Sequence, residues 1–182
     1  MSNFLAIDFE TANRNRNSAC ALGLVKVIDN QIVNYESYLI KPPNSYFEFT
    51  YIHGISYHEV KNAPTFKELW SQINHHFDDI DLVVAHNASF DRSVLENCCN
   101  YYNISKPQIS FNCTMILSRK LWNIRPTKLS DVCSYFNIPL NHHQADSDAM
   151  ACAKIMLLAL NHNNSSFSLN DLETPQLADN FS

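Results

Sequence analysis

The spacing of apolar and polar positions predicts strands and helices that alternate along the chain. Five runs rich in Val, Ile, Leu, Phe and Tyr have the length of strands, and they cover residues 4–10, 19–28, 32–40, 82–86 and 109–113. The first run is apolar up to Asp8 and predicts a buried, central strand. The second and third are separated by the turn-like Asp29-Asn30-Gln31 and predict a hairpin beside the first strand. The fifth predicts an edge strand.

Helical periodicity fills the segments between and after these strands. The predicted helices cover about residues 65–78, 89–98, 114–121, 129–136 and 145–160. The first of them has a capping-box spacing, Thr65 with Glu68, and Ser89 is the predicted cap of the second. The last helix has an apolar stripe made of Ala149, Cys152, Ala153, Met156 and Leu160. This order of strands and helices predicts an α/β domain.

Length and composition fit one domain. The chain has 182 residues, of which 46% are hydrophobic, enough for one well-filled core and too few for two large ones. We expect a single domain over residues 1–160 and a polar tail over 161–182 that is loosely docked or disordered. The start of the chain has no basic leader or signal-type core, and no run approaches the length of a membrane span. We therefore expect a cytoplasmic protein with no membrane partner.

Cysteine, glycine and charge content exclude several classes of protein. The six cysteines form no C-x-x-C pair, so we expect reduced, buried thiols rather than disulfides or a zinc site. Two glycines, Gly23 and Gly54, are too few for a phosphate-binding loop or a dinucleotide fingerprint. The net charge of −5 argues against a protein that coats long nucleic acid. A nucleic-acid substrate would instead be held locally, at a pocket that contains metal.

The first candidate functional residues are Asp8 and Glu10, at the end of the first predicted strand. Because side chains alternate along a strand, both carboxylates would point to one side, roughly 6.6 to 7 Å apart. Asp91 lies in the first turn of the helix that follows a buried strand, where open α/β sheets gather ligand groups. Asp148 shares the inward face of the last helix. Each acid alone also fits a plain cap or loop, but together they indicate a metal site.

Three segments contain these residues, at positions 8–11, 86–91 and 143–149. Their order and spacing resemble the D-x-E, H-N-x-x-F-D and H-x-A-x-x-D-A motifs of the DEDDh 3′–5′ exonuclease superfamily. That superfamily includes the epsilon subunit of bacterial DNA polymerase III, oligoribonuclease and ribonuclease T, and the chain looks most like the epsilon type. The resemblance extends over roughly residues 4–160. It implies a ribonuclease H-like fold, in which helices flank a mixed five-stranded sheet and the four acids meet at its centre.

The resemblance also implies a role for each matching residue. Asp8, Glu10, Asp91 and Asp148 match the acids that hold two Mg²⁺ or Mn²⁺ ions, and His143 matches the general base. Carboxylates suit such hard cations, and an imidazole with a pKa near about 6.5 accepts a proton at neutral pH. A second group matches positions that contact the 3′-terminal nucleotide or shape its pocket, with packing as the alternative for each: Phe9, Thr11, His53, Asn87 and Phe90.

The expected activity is hydrolysis of single-stranded or frayed DNA from the 3′ end, releasing nucleoside 5′-monophosphates. An exoribonuclease is the alternative, because the motifs do not separate the two and a 2′-hydroxyl is recognised by details of the pocket. A binding module that keeps the fold without turnover is a second alternative. A polymerase or a sliding clamp is a possible partner, since residues 176–181 faintly resemble clamp-binding peptides, although Asp179 stands where an apolar residue is usual.

Overall fold

A mixed five-stranded sheet organises residues 2–163, the part of the chain that this computed structural model describes. Its strands are β1 (Phe4–Thr11), β2 (Ala19–Ile28), β3 (Gln31–Leu39), β4 (Leu82–Ala85) and β5 (Ser110–Cys113). Their spatial order is β3-β2-β1-β4-β5; β1 is antiparallel to β2 and parallel to β4. The predictions of a central first strand, a neighbouring hairpin and a final edge strand are confirmed.

Helices cover both faces of the sheet. They are α1 (Thr50–His53), α2 (Tyr57–Val60), α3 (Phe66–Ile73), α4 (Ala88–Tyr101), α5 (Thr114–Trp122), α6 (Leu129–Phe136) and α7 (Ala145–Asn163). Helices α3 and α4 pack with Leu5 and Ile7 of β1 on one face. Helices α5 and α7 pack with Phe4 and Ala6 on the other face, and α6 lies on the outer side of α7. The predicted arrangement, a mixed sheet flanked by helices, is confirmed.

Local sequence signals explain several boundaries. The turn between β2 and β3 contains Asp29 and Asn30 at φ of 51° and 65°, a conformation that short polar side chains tolerate in tight hairpins. The predicted capping box of α3 is present, because the Glu68 carboxylate accepts the Thr65 N–H at 2.7 Å. The helix predicted over 65–78 ends as a tighter 3₁₀ turn, Asn74–Phe77.

Other boundaries differ from the sequence prediction. The short helices α1 and α2 were not predicted, although Ser56 and Glu59 form a capping box whose S-x-x-E spacing marks the start of α2. The N-cap of α4 is Asn87, at φ 72°, and not Ser89, whose hydroxyl lies 3.3 Å from the Asn87 amide oxygen. Helix α7 continues to Asn163, past the predicted end near residue 160. The remainder of the predicted tail, with the clamp-like segment, lies outside the described residues.

The cysteines are buried, as predicted. All six are free in this structure. Within residues 2–163, no helix combines the length and the apolar character that crossing a membrane requires. The division of the chain at residue 160 stays a prediction.

Candidate active site

Asp8 and Glu10 lie near the end of β1, on the face that α7 covers. Residues two and four positions before Asp8 belong to the apolar cluster that packs on α7, and the strand's alternation continues that face to the two carboxylates. Asp148, in the first turn of α7, is only 4% exposed and faces the same place. Carboxylate oxygens of Asp8, Glu10 and Asp148 lie within 4.8 Å of one another.

Asp91 reaches this cluster because β4 is short. Strand β4 pairs with β1 only at Phe4–Ala6, so the strand edge beyond that point is available to another acceptor. The backbone N–H of Phe9 donates to Oδ1 of Asp91 at 3.0 Å. Asp91 is 1% exposed and lies in the first turn of α4. The end of β1 thus holds Asp91 beside Asp8.

Asp148 has one satisfied oxygen and one orphaned oxygen. Its Oδ2 accepts the backbone N–H of His143 at 3.1 Å and lies 3.0 Å from Nδ1 of His142. Its Oδ1 is buried and has no hydrogen-bond partner among the described residues. Leaving a buried acceptor unpaired costs about 1–3 kcal/mol, and more when the group is charged. A cation bound among Asp8, Glu10 and Asp148 would supply the partner that this oxygen lacks.

Burial raises the pKa of all four acids, and repulsion from neighbouring carboxylates raises it further at Asp8 and Glu10. Burial is the main cause at Asp8, followed by repulsion from Asp91, Asp148 and Glu10. Burial and repulsion from Asp148 and Asp91 raise the pKa of Glu10 to about 8. The pKa values of Asp91 and Asp148 are raised chiefly by burial, against the opposing effect of their backbone N–H donors. Such a set of hard oxygen donors fits divalent cations, which would offset the repulsion.

The metal-free protein is therefore expected to lose stability as pH rises from about 6.5 to about 8. Carboxyl groups of the unfolded chain are already ionised in this window, whereas Glu10, with a pKa of about 8, still binds protons in the folded state. The folded state then binds more protons than the unfolded state, so the free energy of unfolding falls with pH. The window lies above the ordinary histidine pKa, which limits the contribution of the histidines. Thermal unfolding at several pH values, with EDTA and with Mg²⁺, checks this.

Added Mg²⁺ should flatten that slope, because the ions replace the protons. A midpoint in EDTA that is constant or rises across the window would contradict the raised carboxyl pKa values.

Two histidines, His142 and His143, lie next to Asp148. His143 has a left-handed backbone, φ 67°, and its ring stacks on that of His142 with 3.8 Å between centroids. Burial lowers the pKa of His143, and the positive charge of a protonated His142 lowers it further. The ring is therefore neutral at pH 7 and able to accept a proton. The sequence identified His143 as a candidate but gave no sign of the contact between His142 and Asp148.

The residues predicted to contact the nucleotide differ in their exposure and in the elements that contain them. His53 is half-buried, with Nε2 3.2 Å from the carbonyl oxygen of the buried Thr11, and its pKa is lowered by burial and by the charge of nearby His143. Asn87 is exposed, and Phe90 is half-buried next to Asp91 in α4. His53 thus lies near His143, and Phe90 adjoins Asp91 in the first turn of α4.

The side chain of Phe9 lies away from the acids. It is 3% exposed and lies in the core on the opposite face of the sheet, with its ring centroid 6.5 Å from that of Phe66. Its ring therefore does not offer a face to a nucleotide in this structure. Phe9 contributes through its backbone N–H instead, which holds Asp91.

Gly23 sets the distance between α7 and the sheet. It pairs with Asp8 across β1 and β2. A Cβ atom at Gly23 would lie 1.9 Å from the carbonyl oxygen of Ala145, the first residue of α7. Only glycine lets the start of α7 come this close, and the contact brings Asp148 to the end of β1.

Gly23→Ala is expected to displace the start of α7 and to weaken Mn²⁺ binding by about tenfold or more, since a loss of about 1.4 kcal/mol suffices. The clash is with backbone atoms, so a side-chain rotation does not relieve it. Calorimetric titration with Mn²⁺ measures the effect. Gly54→Ala is the control: it strains a residue at φ 78° but meets no atom within 4 Å, so it should destabilise without weakening metal binding. Equal metal affinity in the two variants would refute the role given to Gly23.

The chain is similar to several known proteins. The family model RNase_T, described as an exonuclease, matches residues 5–156. The chain is 30% identical over 164 residues to exodeoxyribonuclease 10 of Escherichia coli K12, covering 85% of this chain and 67% of that protein. It is 27% identical over 168 residues to DNA polymerase III subunit epsilon of Buchnera aphidicola subsp. Baizongia pistaciae, covering 83% and 68%.

A solved structure of exonuclease X in complex with 5′ overhanging duplex DNA is also similar. Its TM-score is 0.74 at 25% identity, and the match covers 93% of this chain and 97% of that chain. The chain spans only 11% of the length of the PolC-type DNA polymerase III of Caldanaerobacter subterraneus subsp. tengcongensis, which it also matches.

Fold and motifs together define an enzyme of the DEDDh exonuclease class, with the predicted ribonuclease H-like fold. The chain belongs to the exonuclease family that the RNase_T model describes. The family prediction from sequence is confirmed. Members of this class use divalent metal ions, and the four acids are a donor set of the kind that such ions require.

Proposed function

We propose that this protein removes nucleoside 5′-monophosphates from the 3′ end of single-stranded or frayed DNA. The observation that carries the proposal is the meeting of Asp8, Glu10, Asp91 and Asp148 beside His143, with one buried carboxylate oxygen left without a donor. The likeness to exodeoxyribonuclease 10 and to exonuclease X with bound DNA supports DNA as the substrate.

The four acids would hold two Mg²⁺ or Mn²⁺ ions. Bound in this way, the ions supply an activated water and stabilise the leaving oxygen. The chain itself positions the acids: the Phe9 N–H orients Asp91, and the His143 N–H with the His142 ring orients Asp148. These donors come from the end of β1 and from the turn that precedes α7.

His143 would act as the general base. Its lowered pKa keeps the ring neutral at pH 7. The ring takes a proton from the attacking water; the new oxygen–phosphorus bond forms as the bond to the 3′-oxygen breaks, and that oxygen is finally protonated by solvent. The ring stacks on His142, and the ligand atoms of both histidines lie within 4.8 Å of a carboxylate oxygen of Asp148.

The 3′-terminal nucleotide would lie against the surrounding side chains. We assign this contact to Thr11, His53, Asn87 and Phe90. Thr11 follows Glu10, and its carbonyl oxygen contacts His53, whose pKa is lowered by burial and by the charge of His143. Asn87 and Phe90 lie at the start of α4, with Asp91. The buried ring of Phe9 does not fit such a contact, so its role would be to hold Asp91.

A polymerase partner is proposed from the relatives alone. The matched relatives include DNA polymerase III subunit epsilon and PolC-type polymerases. Association with a sliding clamp stays a prediction, because residues 176–181 lie outside the described part of the chain. A cytoplasmic location also stays a prediction, and it is supported by the six free thiols, which are typical of reducing compartments.

A degradation time course tests the activity. Purified protein is incubated with Mg²⁺ or Mn²⁺ and 5′-labelled single-stranded DNA and RNA of the same sequence, with Asp8→Asn as the control. We expect a DNA ladder that shortens from the 3′ end and is absent in the control. A preference for RNA would identify an exoribonuclease. No ladder on either strand, with binding retained, would identify a binding module.

A further inference from the structure

The guanidinium of Arg16 lies near Asp91 and makes no hydrogen bond or ion pair with the described residues. It is exposed, on the loop between β1 and β2, and its guanidinium carbon is 4.5 Å from the centroid of the Phe90 ring. Phe90 precedes Asp91 in α4, and the positive charge of Arg16 lowers the pKa of that carboxyl. Among residues 2–163, the guanidinium has no ion pair or hydrogen bond. Its five N–H donors are therefore available to a ligand.

The loop that presents Arg16 is fixed by its own hydrogen bonds. The Ala12 N–H donates to the Ser18 carbonyl at 2.8 Å, and the Ser18 hydroxyl donates to the Asn15 carbonyl at 2.7 Å. The thiol of Cys98, in α4, lies 3.9 Å from the Arg16 carbonyl oxygen. Both the backbone and the side chain of Arg16 are thus positioned against α4. Such positioning reduces the entropy cost of binding a ligand.

Arg14, two residues earlier on the same loop, is different. It is also exposed, but its Nε donates to Oε1 of Glu48 at 2.9 Å. Arg14 and Arg16 therefore form a matched pair of the same residue type, on the same loop, of which one is satisfied by the protein and the other is not.

We propose that Arg16, supported on the Phe90 ring, binds a backbone phosphate of the DNA strand other than the scissile one. This inference rests on the proposed function. The planar fork of a guanidinium matches two phosphate oxygens, and its charge complements theirs. Arg16 makes no ion pair with the acids. The acids would hold the cations and, through them, the scissile phosphate. Arg16 would therefore bind a neighbouring phosphate of the same strand.

Phe90 takes a different role when Arg16 binds a phosphate. One face of the ring is covered by the guanidinium, at a distance typical of a cation–π contact. The ring would then serve as a support for Arg16 rather than as a platform for a base. This assignment differs from direct contact between Phe90 and the terminal nucleotide, and a double-mutant cycle separates the two.

Binding of a fluorescent single-stranded DNA oligomer tests the proposal, with Ca²⁺ in place of Mg²⁺ and the strand checked for cleavage afterwards. Arg16→Gln should weaken binding about tenfold and reduce the slope of log K against log salt by about 0.7, the value for one phosphate contact on a single strand. Arg14→Gln should bind as the wild type does. Mn²⁺ affinity, measured by calorimetry without DNA, should not fall in Arg16→Gln, because removing a cation beside Asp91 does not weaken a cation site.

Two further arms locate the contact. The p-nitrophenyl ester of thymidine 5′-monophosphate contains only the scissile phosphate, so Arg16→Gln should lose about tenfold more kcat/KM on the oligomer than on the ester. Phe90→Leu should weaken DNA binding in the wild type and have little further effect beside Arg16→Gln, because the ring acts through the arginine.

Several outcomes would overturn the inference. If Arg16→Gln keeps the wild-type affinity and salt slope, Arg16 binds no phosphate. Equal losses on ester and oligomer would place Arg16 at the scissile phosphate, and additive effects of the two substitutions would show that Phe90 binds independently. In each case the wild type still degrades DNA, and the proposed function stands. A wild type that neither binds nor degrades DNA overturns both.

Discussion

Asp8→Asn is expected to lower the rate of hydrolysis by at least about 10³-fold and to abolish tight Mn²⁺ binding. Repulsion from each of the other three acids, Asp91, Asp148 and Glu10, raises the pKa of Asp8. Asparagine has nearly the same shape but has lost the charge that a divalent ion requires. The same substitution should raise the thermal midpoint of the metal-free protein at pH 8, because it removes one of four repelling, buried carboxylates.

The degradation time course, calorimetric titration with Mn²⁺ and thermal unfolding in EDTA measure the three effects separately. Asp146→Asn is the matched control, since Asp146 lies in the same first turn of α7 as Asp148 but is exposed. The control should keep Mn²⁺ binding and should not gain stability at pH 8. Unchanged Mn²⁺ affinity in Asp8→Asn would show that the acids do not form the ion site. A lower midpoint at pH 8 would show that Asp8 is satisfied by the protein alone.

The parts of the site that sequence predicts are those set by local periodicity. Asp8 and Glu10 share a side of β1 because a strand alternates every two residues, and that rule needs no knowledge of neighbouring strands. Asp148 follows from the stripe of α7, which the helical period determines. The structure places these three carboxylates within 4.8 Å of one another. Their order in the chain, with Asp91, also carried the resemblance to the exonuclease family.

The parts that sequence does not predict depend on distances between elements. The hydrogen bond from the Phe9 N–H to Asp91 forms because β4 pairs with only three residues of β1. How far two strands pair depends on their positions in the fold and cannot be read from either segment alone. The face taken by the Phe9 ring follows from alternation, but its burial follows from α3 packing there. Nothing in the sequence distinguishes Arg16 from the other polar residues between β1 and β2, because its contact with Phe90 depends on where α4 packs. Helices as short as α1 and α2 contain too few residues for a periodic pattern.

His143→Asn is expected to lower kcat by about 10² to 10⁴ while leaving Mn²⁺ binding largely intact. His143 contacts the ion site through its backbone, because its N–H donates to Oδ2 of Asp148, and asparagine keeps that N–H. Asparagine also tolerates the left-handed φ of 67° better than alanine does. The substitution therefore removes the imidazole and little else. Single-turnover kinetics at saturating Mg²⁺, together with calorimetry, separate the chemical step from ion binding.

The dependence of kcat on pH distinguishes a base from a structural ring. In the wild type, the rate should rise with pH as His143 loses its proton, at a pKa that burial and His142 hold below the ordinary value, and this rise should be absent in His143→Asn. His142→Asn provides the contrast: it removes a side-chain contact to Asp148 at 3.0 Å, so it should weaken Mn²⁺ binding yet keep the pH-dependent rise. If His142→Asn loses the rise and His143→Asn keeps it, the two roles are reversed, and the base is the histidine that contacts the Asp148 carboxylate through its ring.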